Sequence, residues 1–120
     1  IILSGEGYSL MGPEGEEPKL YPWHVGTLIT PPNMWYHQHF NTGPNPARYL
    51  AFKHEGVAIR NAQGVPKAWI SQRIGGDQID YADESPSVRT MFADAVAKQG
   101  LTPKMDKAYE AELADLPPKG

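Results

Sequence analysis

Residues 26–41 read GTLITPPNMWYHQHFN, and the fold turns on how this stretch is parsed. Gly26 opens it, Pro31-Pro32-Asn33 makes a corner, and the run from Tyr36 to Asn41 closes it. Glycine and proline interrupt regular structure, one by its backbone freedom and the other by its missing N–H. The stretch therefore predicts a strand over 26–30, a corner, and a second strand over 36–41. Successive side chains on a strand point to opposite faces. His37, His39 and Asn41 then share one face, and Tyr36, Gln38 and Phe40 the other. Neutral imidazoles are donors for divalent transition metals. By itself, though, His-x-His on a strand is equally compatible with hydrogen-bonded core residues.

Upstream, an apolar strand over 1–4, a turn at Gly5-Glu6-Gly7 and a returning strand over 8–11 lead into the acidic loop 12–18, GPEGEEP. A strand over 19–24 follows. Downstream, the turn-rich 42–46 leads to a strand over 48–53, and 69–73 reads as another before the Gly75-Gly76 break. Many short strands with frequent turn signals predict a barrel or sandwich. The pattern then changes. Ser85-Pro86 and Thr102-Pro103 are both helix-start signals, a capping side chain followed by proline. Val88, Met91, Phe92, Ala95 and Val96 recur at helical spacing before Gly100, as do Met105, Ala108, Tyr109, Leu113 and Leu116 beyond it. Helices are predicted over 86–99 and 103–115, with residues 81–120 packing as a helical extension on a β-region over 1–80.

The first half also carries a family resemblance. Gly26, Pro32, His37 and Asn41 fall at the spacings of the second cupin motif, G-x5-P-x-G-x2-H-x3-N, with Met34 at the usual glycine. Residues 1–7 resemble the end of the first cupin motif, with Gly5 as its last glycine. The resemblance covers residues 1 to about 53 and implies a mainly β chain: part of an antiparallel cupin-type β-barrel, or jelly roll, followed by two C-terminal α-helices. It further implies that His37 faces the lumen as a metal ligand. His39, Asn41, Trp35 and Arg48 are then candidates for the outer shell or substrate pocket. Two His and a Glu of the first motif are expected upstream of Ile1, so that a longer polypeptide completes the site. Reading 26–41 as the first motif instead fails, because Gly43 and Pro44 stand where it needs Glu. A self-contained site from His37, His39, His54 and Glu55 is the remaining alternative.

Composition bounds the function. The chain has 120 residues, 40% hydrophobic and 21% charged, with a formal net charge of -3 and no cysteine. That is globular material for one domain, without thiolate metal sites or disulfides. The absence of a basic block argues against nucleic acid, and no apolar run approaches the roughly 20 residues of a membrane span. A cytoplasmic location is compatible with this. The resemblance implies a metal-dependent cupin enzyme acting on a small molecule, with a dioxygenase-type oxidoreductase using Fe(II) as first expectation and Mn, Ni or Zn as other ions. A non-catalytic small-molecule-binding or structural cupin is the alternative. A homodimer is expected, since an unpaired sheet edge favours association. The three tryptophans are expected to fill the barrel or pack on the helices, and His24 to lie on the surface.

Overall fold

Five strands precede two helices in the computed structural model, which describes residues 1–53 and 58–120. The strands are β1 (Ile2–Ser4), β2 (Gly7–Gly12), β3 (Lys19–Trp23), β4 (Tyr36–Asn41) and β5 (Arg48–Tyr49); the helices are α1 (Pro86–Ala97) and α2 (Asp106–Asp115). All strand pairings in these sheets are antiparallel: β1 pairs with β5, and β2 lies between β3 and β4. The fold is thus mixed rather than mainly β, and among the described residues the strands do not close into a barrel. Two compact units result, one of Ile1–Phe52 with Met91–Thr102, the other of Lys53–Thr90 with Pro103–Gly120.

The first unit is organised by β2. Ladders on both sides bury its Tyr8, Ser9, Leu10 and Met11 completely or nearly so. Tyr8 stacks on Phe40 with ring centres 4.8 Å apart, and Phe40 meets Phe92 of α1 at 5.3 Å. Burying such a side chain stabilises by about 1.5–3 kcal/mol, and each aromatic pair adds about 0.5–1.5 kcal/mol. Beyond α1, Gly100 adopts a φ of 70°; its N–H bonds Ala97 O, and that of Leu101 bonds buried Val96 O. This double closure is the left-handed stop that a terminal glycine predicts.

Three expected strands are absent or shortened. Residues 26–30 form no strand: Gly26 is left-handed at φ 87°, the Pro31-Pro32 pair lies just beyond, and the segment bonds Ile2 only through Gly26 N–H and Thr27 O. The strand expected over 48–53 has ladder pairing only at Arg48 and Tyr49, extended by the hydrogen bond of Leu50 to Ile1. Residues 69–73 lie across two 3-10 turns, Lys67–Trp69 and Gln72–Ile74, and Trp69 is exposed instead of packed. Ser71 decides that geometry. Its hydroxyl accepts from Arg73 N–H and donates to the Asp80 carboxylate, a local alternative to ladder bonding.

In the second unit, α2 starts at Asp106, later than the Thr102-Pro103 signal suggests. Its inward side runs through Met105, Tyr109, Glu112 and Leu116, while Ala108 and Leu113 are exposed. The Glu112 carboxylate accepts from the Tyr81 and Ala82 N–H groups, and Tyr109 meets Tyr81 edge-on beneath the Arg89 guanidinium. Arg73 clamps Asp83 through two hydrogen bonds of 2.6 and 2.8 Å and also donates to Pro117 O. That clamp holds the Asp83 carboxyl down at about 2.

Candidate functional site

The candidate site is built on the face of β2, β3 and β4 that does not carry Tyr8 and Phe40. Register fixes its members: Lys19, Met11 and His37 lie in one row, Tyr21, Ser9 and His39 in the next, Trp23, Gly7 and Asn41 in the third. The alternation read from the sequence therefore holds, with the two histidines and Asn41 together and Gln38 opposite. Both histidines are exposed rather than enclosed. Gly7 has a steric reason to be glycine, since a Cβ there would lie 1.9 Å from Phe40 O and 2.8 Å from the Trp23 ring.

His37 and His39 have ring centres 5.4 Å apart, tilted by 50°. The Nδ1 edge of His39 lies 2.6 Å from the Ser9 hydroxyl, which is fully buried, and its ring is 6.0 Å from that of Tyr49 on β5. His39 is thus two-sided, with open surface but a desolvated Nδ1 edge. That desolvation, and then the charge of His37, hold its pKa below the usual imidazole value. A neutral imidazole with one nitrogen fixed by a hydrogen bond is the state in which histidine binds metals.

The remaining predicted residues divide clearly. Asn41 ties down the turn after β4: its Nδ2 donates to Asn45 O, and its Oδ1 accepts from Gly43 N–H. It acts on backbone at the strand end. Trp35 is half-buried just ahead of β4, its N–H bonded to Pro32 O. Arg48 is exposed on β5 opposite Ser4. His54 and Glu55, the extra donors of the self-contained alternative, lie outside the described residues. Among those described, no group of three or more His, Asp or Glu is placed to hold an ion together.

Ser9 and Tyr49 were not legible as site residues. Ser9 gives a faint signal, being the polar residue inside the run Tyr8-Ser9-Leu10-Met11, whereas Tyr49 gives none. An open hollow of about 340 Å³ is lined by Glu6, His24 and Asn45 among others. His24 is exposed as expected, its Nδ1 donating to Val25 O at 2.9 Å.

The turn entering β4 carries a further feature. Met34 has a φ of 66°, the only non-glycine left-handed residue among those described. Gly5 and Gly26 are left-handed at 86° and 87°. No helix among the described residues is long and apolar enough to cross a membrane. No family model, curated protein or solved structure matches the chain.

Proposed function

We propose that this chain is the second-motif part of a cupin-type β-barrel and that His37 binds a divalent metal in a metal-dependent, dioxygenase-type oxidoreductase of the cytoplasm. The observation that carries this reading is backbone conformation at the motif positions. Left-handed φ is costly for any residue with a Cβ, about 1–2 kcal/mol, so a methionine held there marks a turn the fold requires. That turn sets the start of β4 and hence the face on which His37 stands.

The residues present suit such an ion. Two imidazoles sit side by side on an open face, and imidazole favours Fe, Ni and Zn over the hard cations. When bound, Fe(II) supplies an open coordination position for O2 and a small substrate. His37 binds, Asn41 fixes the strand end that carries it, and Ser9 holds the neighbouring imidazole in orientation. Exposed Leu3, Leu28, Tyr49 and Phe52 in the same unit support association into a homodimer.

Equilibrium dialysis against Fe(II), Mn(II), Ni(II) or Zn(II) under anaerobic conditions, followed by elemental analysis, tests the assignment. Weak retention that rises with metal concentration is expected, because two imidazoles leave most coordination positions to solvent, with loss in His37→Ala. Equal retention in that variant would contradict it.

A further inference from the structure

The geometry points to a two-imidazole chelate in which His39, through Nε2, is a second ligand of the ion held by His37, with Ser9 as its positioning residue. This inference rests on the metal reading of His37 and adds a ligand to it.

Distance carries the first part. A ligating imidazole places its ring centre about 3.2 Å from the metal, a bond of roughly 2.0–2.1 Å plus the reach from nitrogen to ring centre. Two such rings at a tetrahedral angle have centres about 5.2 Å apart. The observed separation is 5.4 Å. Residues two apart on an extended strand are spaced about 6.6 Å along its axis, so the rings lean toward one another. Ser9 and Tyr49 hold the His39 ring in place, and the exposed His37 ring lies toward it. A 50° tilt also leaves them unstacked.

Hydrogen bonding carries the second part. Nδ1 of His39 is engaged by Ser9 Oγ at 2.6 Å, which leaves Nε2 as the one nitrogen that can face an ion. Metal binding selects the tautomer in which Nδ1–H donates to the serine oxygen, freeing the Nε2 lone pair. Outer hydrogen bonds of this kind orient a ligating histidine and raise its basicity. Ser9 is fully buried on the central strand, so its oxygen stays aimed at the ring.

Cu(II) is a suitable probe, read by titration and by pulsed EPR of coordinated imidazole nitrogens. The chain has four histidines, so a His24→Ala/His54→Ala background leaves only His37 and His39. In that background one Cu(II) per chain with two coordinated imidazoles is expected. His39→Ala is expected to show one imidazole and an affinity lower by about tenfold or more. Ser9→Ala is expected to keep both imidazoles but to lose about tenfold in affinity with altered copper hyperfine splitting, which a merely structural change would not produce. Far-UV circular dichroism and melting confirm that each variant is folded. If His39→Ala keeps parental affinity and spectrum while His37→Ala loses both, the chelate is wrong and His37 binds alone. If neither substitution matters, the metal reading falls too. Parental affinity and spectrum in Ser9→Ala remove the role given to Ser9.

Discussion

Met34 is where sequence and conformation disagree most informatively. A methionine at φ 66° gives up roughly 1–2 kcal/mol relative to an unstrained position, whereas glycine there gives up only its extra unfolded-state entropy. Met34→Gly should therefore stabilise the first unit by about 0.5–1 kcal/mol, seen as a higher denaturant midpoint at unchanged slope. Destabilisation would mean that the turn is not left-handed at this residue. The motif spacing singled out His37 and Asn41, and strand alternation put them on one face with His39, as the register shows. What the spacing could not give was depth. Exposure of the histidines depends on which other strands cover their face, and no local pattern encodes that. Nor could it give Ser9, whose part depends on the β2–β4 register.

At the level of elements, the sequence readings that held have strong local causes: Ser85-Pro86 starts α1, Gly100 stops it, and alternation marks β4. Those that failed were decided by competing bonds. Pro31-Pro32 and left-handed Gly26 prevent a strand over 26–30, and Ser71 turns 69–73 aside with its side chain. In α2, the polar Glu112 takes a place on the inward side because two backbone N–H groups need an acceptor. Packing between elements also yields a pH dependence. Tyr8 lies in the β2–β4–α1 aromatic cluster, and its hydroxyl has no hydrogen-bond partner among the described residues. Burial pushes its pKa from 10.0 up to about 12. The folded state therefore holds this proton more tightly than the unfolded chain does. Its contribution is fully present below pH 10 and lost as pH rises toward about 12. Tyr8→Phe should shrink that alkaline loss and, by removing an unpartnered buried hydroxyl, raise stability at neutral pH by about 1 kcal/mol. Melting curves across the alkaline range check both; an unchanged alkaline slope would show that Tyr8 ionises freely in the fold.

For the whole chain, each unit has its own internal ties: an aromatic cluster with a helix stop in the first, and the Arg73–Asp83–Pro117 clamp with the Glu112 cap in the second. The proposed chemistry belongs to the first unit alone, because Ser9, His37, His39 and Asn41 all stand on β2 and β4. The central claim is that an ion is bound on this face. Long-range 1H–15N correlation spectra of the histidine side chains during Zn(II) titration address it most directly, since each of the four histidines reports separately. The account predicts that His37 changes first, with one of its ring nitrogens taking the shift of a metal-bound imidazole, while His24 stays unchanged. Zinc-induced changes confined to His24 or His54, with His37 unmoved at stoichiometric zinc, would contradict it.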